Sequence, residues 1–510
     1  MNIHNIEIKF LLSLQQLFRL PLINQVSNSL PKFPNRIAVA LSGGVDSTCL
    51  FHLLLNYKKS YQPDLQISAI TIDHNLRPES KYEAESLHQY ISGELHKEWG
   101  DTVRHETIKI RSTINENQME RHARDLRHQL IAQTCQKLGV DRIFMGHHLD
   151  DQLETFLLRL SKNSTIFGLA GMQPVSKFPV NLPNLDLKII RPMLEFRKQD
   201  IYDYCKSNGL FWFEDISNND ISLTPRNLYR HYLRVHIDKN NISGLNKDEI
   251  TKTFLRTVEY TTHVQDRVKQ LRSTLFTIGL ASYDNQSLSL KLNLPGHIFH
   301  EYTPLEIDRF IYETVYKVSP SSNYHDTFTR FNSTAEISTR SSIDKNQGES
   351  FTSKLTRYPL GKSKFTLVLC NFLLEKYVNK QTGSVDCYLE VFKGKEFTRR
   401  PTPDLQFGTL SQPLVFCDWL FYDERLHVRV ACTTGSEQYL NKKLYISSFR
   451  ASDGIALKKN KMLKRFALKY NIPVIRDEYK KIVCFPTLEN VPADYRPKLI
   501  VECKTKSCFF

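Results

Sequence analysis

The sequence predicts an α/β chain: a doubly wound parallel sheet in its first half, then a helical middle region and a small α+β C-terminal domain. Three observations predict it. Residues 36–235 alternate short β-rich runs with helical patterns, which is how a parallel sheet with crossover helices reads. The first of those runs passes directly into a glycine turn, Ser42-Gly43-Gly44-Val45-Asp46-Ser47, and then into an apolar-periodic stretch ending at Leu55. Three polar clusters, described below, each follow a strand, where open α/β sheets bind ligands.

Taken in order, residues 3–20 are apolar and poor in acids, with Lys9 and Arg19 as the basic residues. Gln15-Gln16 breaks the run and no small-residue cleavage site follows, which speaks against a secretory signal. Two readings remain: a mitochondrial presequence, or an amphipathic helix packed beside the first strand. Strands are expected at 37–41, 66–72, 103–108 and 142–145, with helices starting near Asp46, Ser80 and Met119. Residues 245–275 are helical and charged. Thr303-Pro304-Leu305-Glu306 combines an N-cap, a proline at the first helical position and a capping-box acid, and Ile307, Phe310, Ile311 and Val315 share one face of the helix it starts. From 319 to 353 the composition turns to Ser, Thr and Asn, as in a linker or insertion. The expected division is therefore 1–240 catalytic, 241–318 helical, 319–384 insertion or linker, and 385–510 a last domain of short strands with one very basic helix.

The chain has 510 residues, 41% of them hydrophobic and 24% charged, too long for one core and ordinary for a globular protein. No apolar run is long enough to span a membrane. A formal charge of +15 favours a polyanionic partner such as nucleic acid, although solubility alone tolerates it. The ten cysteines include no CxxC pair, which points to free thiols and away from cysteine-borne metal or sulfur-transfer chemistry.

The glycine turn carries the first chemistry. A strand, a two-glycine turn and a helix start aim backbone N–H groups and a helix dipole at one spot, which suits a pyrophosphate. Ser42 and Ser47 add hydroxyls, and Gly43 and Gly44 allow close approach. The Lys-Ser/Thr pair of a Walker A loop is missing. The second cluster is Thr71-Ile72-Asp73-His74-Asn75-Leu76-Arg77-Pro78-Glu79-Ser80. The third is Gly146-His147-His148-Leu149-Asp150-Asp151-Gln152-Leu153-Glu154. Asp151 and Glu154 share a helical face and suit a magnesium ion or a substrate ammonium group; the competing reading is an acidic first turn that only complements the helix dipole. Adjacent histidines point apart and no thiolate accompanies them, so zinc is disfavoured.

SGGVDS resembles the PP-loop of the ATP pyrophosphatase superfamily, a Rossmann-like fold whose members cleave ATP between the α and β phosphates. The clusters in this order, joined by Glu120-Arg121-His122-Ala123-Arg124-Asp125-Leu126-Arg127, Gly168-Leu169-Ala170-Gly171-Met172, Arg191-Pro192-Met193-Leu194, and Asp215-Ile216-Ser217-Asn218 through Pro225-Arg226-Asn227-Leu228-Tyr229-Arg230, resemble the tRNA(Ile)-lysidine synthetase family.

That resemblance implies a ligase that adenylates the C2 oxygen of the wobble cytidine of an isoleucine tRNA with anticodon CAU, using ATP and Mg²⁺. The ε-amine of free L-lysine then displaces AMP. It further implies that Ser42, Gly43, Gly44, Val45, Asp46 and Ser47 cradle ATP, with Asp46 near the metal. Arg124 and Arg127 would stabilise leaving-group charge, and Asp151, Glu154, Asn218, Arg226 and Arg230 would hold the lysine. Either His147 or His74 would handle the amine's proton. For each arginine the plainer alternative is a salt-bridged or solvated side chain. Thr224 is an extra residue relative to the family's spacing, which makes Arg230 less secure than Asp151.

Near the other end, the segment 457–470 holds six basic residues and no acid, with Leu463, Phe466 and Tyr470 forming an apolar stripe. It is similar to the family's C-terminal tRNA-binding module, which makes Lys458, Lys459, Lys461, Lys464 and Arg465 candidate RNA contacts; a solvated charged helix is the alternative. Residues 240–440 match the family only in general character.

Two other functions compete: a PP-loop tRNA thiolase or related adenylating enzyme, disfavoured by the missing CxxC, and a non-catalytic tRNA-binding protein, disfavoured by Asp46, Asp151 and Glu154. The Ser/Thr-rich insertion and divergent middle lead us to expect a mitochondrial location, with the cytoplasm as the alternative, and a monomer or homodimer.

Overall fold

The computed structural model describes residues 3–19, 33–73, 78–109, 119–180, 185–214, 225–233, 246–319, 351–367, 370–393, 404–423, 425–455, 457, 460–489, 491 and 499–505. They divide into two compact units, Met1–Thr261 and Thr262–Phe510.

The first unit is built on a six-stranded sheet: β1 (Arg36–Ala40), β2 (Gln66–Asp73), β3 (Val103–Lys109), β4 (Arg142–Phe144), β5 (Val175–Lys177) and β6 (Lys188–Ile190). The strand order is β3-β2-β1-β4-β6-β5; all neighbours are parallel except β5, which pairs antiparallel with β6. Strand β1 is buried on both faces, as a central parallel strand must be. Ile37 and Val39 join the core beneath α1 (Ile3–Phe18), α2 (Val45–Tyr61) and the later helix Lys198–Ser207, while Ala38 faces Ile131, Ala132 and Cys135 of the helix Met119–Lys137. The expected strands and helix starts in this region are met within a few residues.

Helix α1 belongs to this core. Phe10 and Leu14 are buried, Lys9 donates to the Glu195 carbonyl at 2.7 Å, and Ser13 donates to the Pro192 carbonyl at 2.7 Å. Of the two sequence readings for this segment, the packed amphipathic helix describes its place here.

The order of β1 between β2 and β4 creates a switch point. The chain leaves β1 through α2 on one face and enters β4 from Met119–Lys137 on the other. Backbones therefore diverge at the carboxyl ends of β1 and β4, opening the crevice where such sheets bind ligands. The glycine turn follows β1, and the His147-His148 cluster follows β4.

After β2 come α3 (Pro78–Tyr90) and the short α4 (His96–Trp99). Met119–Lys137 is α5, followed by α6 (Leu149–Ser161), α7 (Ile166–Leu169), α8 (Lys198–Ser207), α9 (Pro225–Tyr232) and α10 (Lys247–Thr277). Leu153 and Phe156 of α6 pack with Leu233, Ile250 and Phe254, which fixes α9 and the start of α10 beside α6.

In the second unit, strands Ala281–Asp284 and Ser289–Leu294 join Gly361–Leu367, Cys370–Val378 and Val385–Phe392 in a five-stranded antiparallel sheet. Two expectations change here. The region 241–318 is not purely helical, because its hairpin alternates buried Leu290, Leu292 and Leu294. The Ser/Thr-rich linker expected over 319–384 does not extend across Phe351–Val378, which forms a helix and two strands burying Phe351, Leu355, Phe372 and Leu374. Polar sequence surrounds Phe351 and Leu355, whereas the apolar run 365–374 is a strand signal in its own right. The capping box at Thr303 forms as expected and opens the helix Pro304–Tyr316. Two smaller antiparallel sheets and the basic helix Lys461–Tyr470 complete the unit.

Candidate active site

Gly43 adopts φ +82°, a left-handed conformation that favours glycine, and a Cβ there would come within 2.9 Å of the Phe213 ring. The Phe213 N–H donates to the Gly43 carbonyl at 2.9 Å, which holds this turn against the 211–214 segment. Gly44 caps α2, and the Ser47 hydroxyl donates back to the Gly44 carbonyl at 2.9 Å. Ser42 N–H donates to Ser47 Oγ at 3.2 Å, and the two hydroxyls lie 3.1 Å apart. Val45 and Ser47 are buried, which packs the end of the turn into the core.

The loop after β4 lies directly on this turn. A Cβ at Gly146 would stand 2.8 Å from the Asp46 carbonyl oxygen and 3.2 Å from Ser47 N. Only glycine lets the two loops approach this closely. Next along the chain, His147 and His148 diverge as expected. His147 Nδ1 accepts from Arg191 Nε at 3.3 Å, and burial, reinforced by neighbouring cations, holds its pKa down at about 4. His147 is thus a neutral imidazole at pH 7 whose acceptor nitrogen is already engaged.

His148 turns inward. Burial opposes its charge, but the Asp46 and Asp151 carboxylates outweigh that and raise its pKa. Its Nε2 lies 3.4 Å from Asp46 Oδ1 and 3.4 Å from Asp151 Oδ2, so one imidazole ring bridges the glycine turn and α6. Asp151 Oδ2 also accepts the His148 backbone N–H at 3.1 Å, closing the first turn of α6. On Asp46, burial would raise the carboxyl pKa, yet His148 and Lys198 together bring it down to about 2. Lys198, the first residue of α8, places Nζ 2.6 and 2.7 Å from the two Asp46 oxygens.

One helical turn further, Glu154 is 3% exposed and wholly engaged. Arg230 donates to it through Nε at 2.7 Å and Nη2 at 3.1 Å, and Arg226 through Nε at 3.2 Å. Arg226 also reaches Thr155 Oγ1 at 3.3 Å. Helix α9 is thereby clamped to α6 through two guanidinium groups on one carboxylate. Asp151 and Glu154 share a helical face as expected, but they serve different partners, a histidine and an arginine pair.

The structure therefore brings Ser42, Gly43, Gly44, Val45, Asp46, Ser47, His147, Asp151, Glu154, Arg226 and Arg230 to one end of the sheet. Arg127 is half-buried on α5. His74, the Arg124 side chain, Asn218, Thr224, Lys458 and Lys459 lie outside the described residues. The 168–172 segment proves to be a brace: Gln152 exchanges two hydrogen bonds with the Met172 backbone at 2.8 and 2.7 Å, and Arg159 holds the Gly168 and Gly171 carbonyls. In the second unit, Lys461 and Arg465 are exposed, while Leu463, Phe466 and Tyr470 pack inward. The stem of Lys464 lies over Gly454.

Sequence reading missed Lys198, the approach role of Gly146 and the Phe213 support. Gly146 was findable as a glycine at a strand end. Lys198 had no local signal, because it reaches Asp46 across 152 residues.

Among the described residues no group of three or more His, Cys, Asp or Glu side chains could hold a metal. The turn itself offers one carboxylate, Asp46, beside hydroxyl oxygens. That donor set suits Mg²⁺ held jointly by a carboxylate and substrate phosphates, rather than a protein cage.

Residues 19–237 match the family model described as the PP-loop domain, so the fold and the site define this part of the chain as a PP-loop domain. Over 213 residues the chain is 38% identical to the tRNA(Ile)-lysidine synthase of Wolbachia pipientis wMel, covering 42% of this chain and 46% of that one. It is 33% identical over 199 residues to that of Rickettsia felis, covering 39% and 42%. It is also 32% identical over 212 residues to a probable tRNA(Ile)-lysidine synthase of Schizosaccharomyces pombe, covering 39% and 44%. Through this domain the chain is similar to tRNA(Ile)-lysidine synthases. It spans about half the length of the relatives it matches.

Proposed function

We propose that this protein is a ligase that joins free lysine to C2 of the wobble cytidine in an isoleucine tRNA with a CAU anticodon, consuming ATP. The observation that carries the reading is His148, which ties the PP-loop carboxylate Asp46 to the α6 carboxylate Asp151 at 3.4 Å each. An ATP site and an acidic, arginine-flanked site are thus one site, as a two-substrate condensation requires.

In this reading the cytosine O2 attacks the α-phosphate and pyrophosphate leaves from the PP-loop. Backbone N–H groups and cations stabilise that departing charge. Mg²⁺ would be held by Asp46 together with the phosphates, neutralising charge on the triphosphate. The lysine amine then attacks C2, AMP departs, and the amine sheds a proton. Asp151 faces the ammonium end, while Glu154 acts by aiming Arg230 and Arg226 toward the carboxylate end of lysine. His147 is neutral but must release Arg191 before Nδ1 can accept the amine proton. The exposed Lys461 and Arg465 support RNA binding by the second unit. A mitochondrial setting is part of the proposal.

The test incubates the protein with the CAU-anticodon transcript, ATP-Mg and labelled lysine. Incorporation is expected, and it should disappear when the anticodon cytidine is replaced by uridine. No incorporation under conditions where an established lysidine synthase succeeds sinks the reading.

A further inference from the structure

We propose that Lys198 is the phosphate-binding cation of this PP-loop, supplied from α8 because the loop carries none. The proposal rests on the reading of the loop as an ATP site. From Ser42 to Ser47 the one charged side chain is the acid Asp46, so nothing in the loop's own sequence neutralises a triphosphate. Lys198 fills that gap in space. Its Nζ lies 2.6 and 2.7 Å from the Asp46 oxygens, and its side chain is only 20% exposed. The ammonium also sits 5.2 Å from the centroid of the Tyr202 ring, one turn along α8, which fixes its direction.

An ammonium group has three donors. Two lie on Asp46, and among the described residues no acceptor takes the third. Helix α8 is itself held in register with the loop: Cys205, buried two turns on, directs its thiol at the Val45 carbonyl at 3.8 Å. Lys198 therefore acts as a point charge that rests on Asp46 and turns its free donor to the β- and γ-phosphates. When α–β cleavage releases pyrophosphate, the charge it meets belongs to the leaving group and not to AMP. The rival role is a counter-ion that only neutralises buried Asp46.

The experiment titrates the full chain calorimetrically with inorganic pyrophosphate and, separately, with AMP, in magnesium-free buffer. A charge-assisted hydrogen bond contributes ~1.5–3 kcal/mol, roughly a ten- to hundredfold change in affinity. Lys198→Gln is expected to weaken pyrophosphate at least about tenfold and AMP less than about twofold on that scale, with Lys198→Arg restoring most of the affinity. Equal pyrophosphate affinity in Lys198→Gln, or parallel weakening of both ligands, overturns the proposal. A second measurement needs no variant. Pyrophosphate, but not AMP, should slow acetylation of Lys198 by an activated ester in the wild-type protein, read by mass spectrometry; equal protection by the two ligands, or by neither, also overturns it. If the wild type binds neither pyrophosphate nor ATP, the ATP-site reading falls first and this inference with it.

Discussion

Glu154 and Arg230 form a buried, two-pronged ion pair, Nε at 2.7 Å and Nη2 at 3.1 Å, and Arg226 adds a third hydrogen bond to the same carboxylate. The pair couples α6, which begins at the His147-His148 cluster, to α9, which carries both guanidinium groups. Removing the acid leaves two guanidinium groups without their shared acceptor, Arg226 40% and Arg230 19% exposed. Glu154→Gln is therefore expected to lose about 1–3 kcal/mol of stability, less than breaking a fully buried pair from one side because solvent reaches the guanidinium groups in part. Urea unfolding measures it, and a loss below about 1 kcal/mol would mean solvent reaches the pair freely. Arg230→Lys keeps the charge but not the fork, and should recover only part of the stability.

Asp151 holds His148 and is the acid left facing the crevice. Asp151→Asn is expected to raise the KM for lysine at least about tenfold, the scale of one charge-assisted hydrogen bond, while ATP binding changes little. Steady-state assays varying each substrate decide this. Equal effects on both substrates would assign Asp151 to the metal and phosphate side.

Gly146 lets two loops touch. Gly146→Ala would drive a methyl group to within 2.8 Å of the Asp46 carbonyl oxygen, where backbone must move. The expected cost is about 1–3 kcal/mol, accompanied by weaker ATP binding, because the PP-loop shifts with it. Gly93→Ala, which meets nothing within 4 Å in the helical segment Ile91–Leu95, is the control: ATP binding should stay unchanged and stability should hold or rise by up to about 1 kcal/mol.

The buried histidines predict the acid limb of the stability profile. His147 and His105 are each held at about 4 instead of 6.5, with burial the main cause; Asp151 opposes it at His147, Arg191, Arg226 and His148 add to it there, and His88 adds to it at His105. The unfolded chain takes up these protons below pH 6.5 while the folded chain refuses them until about pH 4. Their contribution is complete above pH 6.5, drains away from 6.5 to 4, and is constant below. His148 has the opposite sign: its raised pKa stabilises below 6.5 and that share is lost as pH rises through its folded value. Denaturant unfolding between pH 4 and 6.5 should fall by a fraction of the ~1.4 kcal/mol per pH unit that one fully shielded site would give. His105→Asn should flatten that slope, and an unchanged slope would assign the acid limb to other groups.

The exposed Lys461 and Arg465 give the RNA proposal a quantitative check. Neutralising both should make the salt dependence of tRNA binding shallower, by about 0.7–0.9 in log–log slope for each phosphate no longer paired with a cation. An unchanged slope would place the RNA elsewhere.

The architecture of the first unit was legible where the physics is local. A β-branched run followed by Ser42-Gly43-Gly44 can form little but a strand, a tight turn and a helix start, and Thr303 through Glu306 sets a capping box within four residues. The second unit was less legible, because Phe351 and Leu355 are sparse anchors in polar surroundings, and the successive hairpins after them join a sheet completed by Val385–Phe392 pairing with the distant strand Ser289–Leu294.

By itself, then, the sequence determined the nucleotide-binding turn, the order of the β and α elements around it, and which side chains carry charge. Only the tertiary structure decided how those charges are shared. Asp46 receives Lys198 from 152 residues away and Glu154 receives Arg230 from 76, while Asp151 reaches Asp46 only through His148. Periodicity encodes which face of an element is buried, but the pairing of charges depends on where helices cross. That is set by the packing of Leu153, Phe156, Leu233 and Phe254, and of α8 on α2, over the switch point of the sheet.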